Sequence, residues 1–191
     1  MLELTLIRHA PTPFNRDGIF MGILDVPLED ETIQLLKNSS LKIEEYDLYF
    51  SSPLIRAYDT AINLFPNKLI QTDDLLQEKN LGVWSGLNKE KVKRTYPDAF
   101  LETGKLNPFF TPVEGENIQD MVIRVSNFLD KIKNLYLLGN KTNLKIVCVT
   151  HNGVIRIIRH IIQNESLESF FQKSEPHLTP INFSFNEEWG Y

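Results

Sequence analysis

Residues 143–163 read NLKIVCVTHNGVIRIIRHIIQ. The first eight form the most strand-like run in the chain, and their apolar composition suits burial on both faces, as inside a parallel sheet. HNGVIRIIRHIIQ then reads as a helix, with scarcely a loop between the two. A strand that turns straight into a helix is part of a β–α unit, so the question is whether the alternation repeats.

It does. Residues 2–8 form a short β-rich run, and DVPLEDETIQLLKNSS becomes helical from about Asp30, with acidic residues near the positive N-terminal end. YDLYFSS (46–52) is a second strand. SPLIRAYDTAINLF follows as a helix, with Ser52 as the expected N-cap and Pro53 at the first helical position, where its missing N–H costs nothing. KLIQTDDLL (68–76) gives a short third strand running into a loop, and SGLNKEKVKRTYPDAF a surface helix stopped near Pro97. Residues 101–116 read as an irregular connection. In 117–138, Met121, Val125, Phe128, Leu129 and Ile132 fall near 3.6 spacing, which predicts a long amphipathic helix. PINFSFNEE (180–188) closes the chain as an alternating strand. This order implies a single α/β domain over residues 1–191: an open, mostly parallel sheet with helices on both faces, in three α/β/α layers.

Composition narrows the function. A net charge of −5 argues against a general nucleic-acid binder, whose footprint is a basic face. Cys148, the one cysteine, sits in the apolar run KIVCVT, which excludes an intrachain disulfide and suits a small buried hydrophobe. No signal peptide is visible, and the longest apolar runs are too short to span a membrane. The expected setting is the cytoplasm.

In open parallel sheets, ligands sit outside the carboxyl ends of the strands. Three of those ends carry unusual residues. The first strand delivers Arg8-His9, the second leads through SSPLIR to Arg56, and the strand of the opening quotation delivers His151 before a helix N-terminus, which favours anions. Two arginines and two histidines would concentrate positive charge locally in an acidic protein. An imidazole nitrogen can attack phosphorus, while bidentate arginines match the non-bridging oxygens of a phosphoryl group. A carboxylic acid must protonate the leaving oxygen and later activate water, and Glu78 in DDLLQEKNLGVWSG is the best-placed candidate.

These stretches resemble the histidine phosphatase superfamily, whose first motif, R-H-G-x-T-x-x-N, appears here as R-H-A-P-T-P-F-N. MGILDVPL, SSPLIRAYDTA, DDLLQEKNLGVWSGL, PVEGENIQDMVIRV and VTHNGVIR are similar to the family's further motifs in the correct order, across nearly the whole chain. The resemblance implies a phosphoglycerate mutase-like fold and a metal-independent phosphatase with no metal site and no cofactor. His9 would be the phosphorylated nucleophile, Glu78 the proton donor, and Arg8, Asn15, Arg56 and His151 the phosphate ligands. Gly82, Trp84 and Gly86 would shape the loop after the acid. Ala10 and Pro11 depart from the motif after its histidine, and Thr32 replaces a glycine often found at the start of the next helix.

The expected activity is hydrolysis of a small phosphorylated metabolite through a phosphohistidine, with no nucleic-acid or membrane partner. A cofactor-dependent phosphoglycerate mutase is the rival, since SGLNK resembles mutase wording; the short stretch between Glu78 and Gly115-Glu116 favours the phosphatase. A catalytically inactive phospho-ligand-binding module is the other alternative, and the intact set of catalytic residue types counts against it. Residues 86–113 would form a cap over the site. Their five basic residues read either as a solvated face or as ligands for a second anionic group, and Phe100, Phe109 and Phe110 either as lid or as core. His160 reads as structural or surface, and His177 as surface rather than pocket.

Overall fold

The structure, a computed structural model, describes residues 1–38, 45–139, 142–172 and 174–185. Its strands are β1 (Leu2–Arg8), β2 (Leu48–Ser51), β3 (Ile70–Thr72), β4 (Leu144–Thr150) and β5 (Pro180–Phe185). Its helices are α1 (Pro13–Arg16), α2 (Asp30–Lys37), α3 (Ile55–Leu64), α4 (Lys89–Thr95), α5 (Ile118–Leu138) and α6 (Asn152–Gln163). The sheet order is β3-β2-β4-β1-β5, with β5 antiparallel to β1 and every other pair parallel.

Alternation along the strands sorts the core into two layers. On β4, Ile146 and Cys148 face the layer built with α5 and α6, where Met121, Val125, Phe128, Leu129 and Ile132 are fully buried at the spacing the sequence predicts. Val147 and Val149 face the other way, against Ala57, Ala61 and Leu64 of α3 and Leu36 of α2. Both faces of the central strand are therefore dry, as its composition implied. Cys148 is a buried free thiol, pushed well above its ordinary pKa by burial. No helix among the described residues is long and apolar enough to cross a membrane.

Three boundaries differ from the sequence reading. Helix α3 begins at Ile55 with Leu54 as its N-cap, so Ser52 and Pro53 lie in the extended turn before it. The Ser52 hydroxyl accepts from Leu54 N–H at 3.3 Å instead of capping the helix, which frees it for a second partner. The third strand is three residues long, because Asp73 caps a tight turn over Asp74–Leu76 by accepting from Leu75 N–H. The surface helix is shortened to α4, opened by the Asn88 side chain. The ends of two expected elements, 39–40 and 186–188, lie outside the described residues.

A third, smaller core stands apart from the sheet. Phe20, Leu81, Trp84, Val92 and Ala99 are buried together, with Phe100 and Phe110 packed against them. Phe110 stacks on Trp84 at 5.5 Å, so the core reading holds for Phe100 and Phe110, while Phe109 is exposed. Gly82 has φ +50°, and a Cβ there would strike the backbone of Val113 and Glu114. That close approach ties the two ends of this subdomain together.

Candidate active site

Parallel pairing of β1 with β4 sets Arg8 opposite Thr150, and the His9 N–H donates to the Thr150 carbonyl at 2.9 Å. One strand over, Ser52 N–H donates to Val149. Three adjacent tips thus bring His9, His151 and the approach to Arg56 together. The His9 and His151 ring centroids are 5.2 Å apart. A cavity of about 320 Å³ opens here, with Arg8, His9, Asn15, Arg56 and Glu78 in its wall.

Each group is held by its other atoms. His9 Nδ1 lies 2.7 Å from the Ala10 carbonyl, which can only accept, so Nδ1 carries the proton and Nε2 keeps its lone pair. Ala10 N–H in turn donates to Thr60 Oγ1 at 2.9 Å, and Ala10 has no exposed surface. Its methyl group packs into the α2–α3 layer, which accounts for alanine at this place. The Arg56 guanidinium, fully buried, donates from Nη1 to Leu24 O at 2.7 Å and from Nη2 to Gly22 O at 2.8 Å. Arg8 Nη1 donates to Ser174 Oγ at 2.8 Å and to Glu175 O at 2.7 Å. Asn15 Oδ1 accepts from both the backbone and the hydroxyl of Thr12, which leaves its amide N–H₂ for the cavity.

Glu78 sits against the start of α6, accepting from Lys79 N–H at 2.8 Å and from Gly153 N–H at 3.2 Å. A Cβ at position 153 would overlap the carboxylate, so glycine is needed for that approach. The backbone beneath Glu78 is fixed by Arg124, which pairs with Glu116 and donates to the carbonyls of Leu75 and Glu78. Sequence reasoning gave Ser52 only as a helix cap and had no assignment for Glu116, Arg124, Thr60 or Gly153. All five lie inside the quoted motifs, and that adjacency was the available signal.

His151 Nε2 lies 2.8 Å from Ser52 Oγ. That hydroxyl also accepts from Leu54 N–H and can give its own proton to Nε2, an arrangement in which the imidazole proton sits on Nδ1. Nδ1 of His151 and Nε of Arg8 and of Arg56 are all buried without a protein partner. Buried N–H groups rarely stay unpaired, and Arg8 and Arg56 share one cavity wall with His9, which suits an anion there.

Burial, followed by the Arg56 charge, pushes the pKa of both His9 and His151 well below the ordinary 6.5. Both rings are neutral at pH 7, and His9 keeps a free lone pair on Nε2. His177 corrects a sequence expectation: it is half-buried, its Nδ1 is 2.5 Å from the His9 carbonyl, and its ring is 5.3 Å from that of His9. His160 bonds to the Glu165 carbonyl away from the cavity, in the structural role expected.

A doubly wound sheet with paired arginines and imidazoles at its strand tips defines an α/β protein with an electropositive cavity. Residues 4–185 match the model of the histidine phosphatase superfamily (branch 1), and the chain belongs to that family. It is 28% identical to phosphoserine phosphatase 1 of Hydrogenobacter thermophilus over 90% of this chain and 81% of that protein. It is 26% identical to the 2,3-bisphosphoglycerate-dependent phosphoglycerate mutase of Bartonella henselae, over 97% of this chain and 93% of that one. Among solved structures, the mycobacterial glucosyl-3-phosphoglycerate phosphatase in complex with VO3 superposes with a TM-score of 0.79 at 23% identity, covering 95% of this chain and 92% of that one. The fold is thus the phosphoglycerate mutase-like one expected.

The lowered histidine pKa values carry a stability consequence. Below pH 6.5 the unfolded chain takes up protons at His9 and His151 that the folded state refuses, so stability is present above 6.5 and lost as pH falls below it. The urea midpoint should drop between pH 6.5 and 5, and drop less steeply in His9→Gln. Parallel pH profiles in the two proteins would assign the acid sensitivity elsewhere.

Proposed function

We propose that this protein is a phosphomonoesterase that hydrolyses a small phosphorylated metabolite through a phosphohistidine at His9. The reading rests on the buried, unpartnered guanidinium Nε–H groups of Arg8 and Arg56, whose side chains line one cavity with His9, the imidazole that keeps a lone pair on Nε2. Nε2 attacks phosphorus in line with the ester oxygen, and the P–O bond breaks as the N–P bond forms. Glu78 gives its proton to the departing oxygen. Arg8, Arg56, Asn15 and His151 hold the non-bridging oxygens, neutralising charge where a metal would otherwise be needed. Water then attacks the phosphohistidine, Glu78 takes the proton, and inorganic phosphate leaves with His9 restored.

We further infer that residues 86–113 cap the cavity and recognise a second anionic group. Lys89 and Lys105 line the mouth, and neither has a carboxylate partner among the described residues. Phosphoserine and 2,3-bisphosphoglycerate, named for two relatives, both carry a carboxylate near the phosphate. Phe20, Phe170 and Phe171 supply an apolar wall, so the substrate class is a compact phosphate ester bearing an additional acid. The mutase alternative is favoured by the relative spanning 97% of this chain, and product analysis with 3-phosphoglycerate separates the two by phosphate release.

Three experiments test this reading. Acid-labile, base-stable phosphate should appear on the chain during turnover and vanish in His9→Ala; an active His9→Ala enzyme would remove the nucleophile assignment. In Glu78→Gln, the first step should slow on the order of a hundredfold for an alkyl phosphate and far less for p-nitrophenyl phosphate, whose leaving group needs no proton. Equal losses, in single-turnover measurements, would point to a positional role. Finally, Lys105→Gln should lower kcat/KM about tenfold for phosphoserine while sparing p-nitrophenyl phosphate, as expected for one charge-assisted contact. Equal effects on the two substrates would dismiss the second anion site.

A further inference from the structure

Glu175 uses all of its polar groups at once. Its N–H donates to Asn152 Oδ1 at 2.7 Å, on the first residue of α6. Its carbonyl accepts from Arg8 Nη1, beside the Ser174 hydroxyl that accepts from the same nitrogen. Its carboxylate, 8% exposed, is clamped by Arg156 Nη1 at 3.2 Å and Arg159 Nε at 2.9 Å. Two residues on, His177 reaches the carbonyl of His9. This strap joins neither the sheet nor any helix, yet it touches the chain on both sides of the His9–His151 pair.

A buried carboxylate between two arginines is costly to break, because removal takes from Arg159 its carboxylate partner and leaves the buried Arg156 with Glu165 alone. On the surface of α6 that cost would serve only local stability. Here the clamped residue presents the oxygen that turns Arg8. An arginine on a strand tip has several free rotors, and binding a phosphoryl group with one fixed geometry requires them frozen beforehand. The Arg8 Nε that remains unpaired is the atom this arrangement leaves to face an anion.

We propose that Glu175 and Ser174 are positioning residues: the Arg156–Glu175–Arg159 clamp fixes a strap whose Ser174 hydroxyl and Glu175 carbonyl pre-set the Arg8 guanidinium for the phosphoryl group. This rests on the reading of Arg8 as a phosphoryl ligand. Ser174 is exposed and, among the described residues, its hydroxyl bonds to Arg8 alone, so Ser174→Ala removes the contact without disturbing the core.

The test is a double-mutant cycle read with p-nitrophenyl phosphate turnover and orthovanadate inhibition. Ser174→Ala should lower kcat/KM and weaken vanadate binding roughly tenfold with the melting temperature unchanged, and Ser174→Thr should restore both. Glu175→Gln should do the same with some loss of stability. Arg8→Ala should weaken vanadate further, and adding Ser174→Ala to it should cost nothing more, because the serine acts only through Arg8. A silent Ser174→Ala, or full additivity with Arg8→Ala, overturns the positioning role while leaving Arg8 as a ligand. An Arg8→Ala enzyme that binds vanadate normally overturns both. If Glu175→Gln does not fold, the serine pair still decides.

Discussion

Arg56 is a fully buried cation whose partners are the carbonyl oxygens of Gly22 and Leu24 rather than a carboxylate. Dipoles fix its direction without cancelling its charge. The loop from Gly22 to Asp25 must therefore lie against α3, and Asp25 secures it by accepting from Ile55 N–H at 2.6 Å. Burial and this guanidinium also keep His9 and His151 in their neutral forms. A carboxylate paired directly with Arg56 would quench the field and raise the imidazole pKa values together. The site is stable without such a pair because the surrounding protein supplies oriented carbonyls, and an anion completes the charge balance.

The sheet supplies the other half of the geometry. Side chains at adjacent parallel tips share a direction only when the register is fixed, and a slip by one residue would turn His9 into the wrong layer. The register of β1 against β4 is set by two dry faces at once, since Ile146 and Cys148 belong to one core and Val147 and Val149 to the other. Burial that serves folding thus serves alignment of the imidazoles. The same logic places the acid: Thr150 Oγ1 donates to the Leu76 carbonyl at 2.8 Å, which links the central strand to the segment carrying Glu78.

What could be read from the sequence was whatever depends on local order. Strand tips, helix periodicity and the residues His9, Arg8, Asn15, Arg56, Glu78 and His151 are local features, and the structure gathers them at one cavity with His151 buried beside it. Ser52 was misread because a serine before proline looks like a cap; its true partner, His151, is 99 positions away. His177 and Glu175 were missed for a related reason. Glu175 bonds Asn152 at the start of α6 and His177 bonds His9 just past β1, and no periodicity in SEPHLTP records either. The third strand was shortened by a turn cap whose strength depends on Asp73 being held by Lys131 of α5 at 2.7 Å.

The acidic balance of the chain can now be placed. Arg8, Arg56, Lys79, Lys89 and Lys105 all line one cavity that holds a single carboxylate, Glu78, while the excess acid is distributed elsewhere. Arg56 is buried and Arg8 half-buried on the sheet-and-helix frame, Lys79 is buried beside Glu78, and Lys89 and Lys105 are exposed on the subdomain with its own small core. Charges on the frame are weakly screened and suit the group that reacts, whereas exposed lysines feel salt and solvent and suit recognition of what varies between substrates. Because Phe20, Trp84 and Phe110 pack with each other rather than with the sheet, the subdomain can change its side chains without altering the β1–β4 register. On the function proposed above, the separation of cores is the physical reason one set of reacting groups can be joined to different substrate walls.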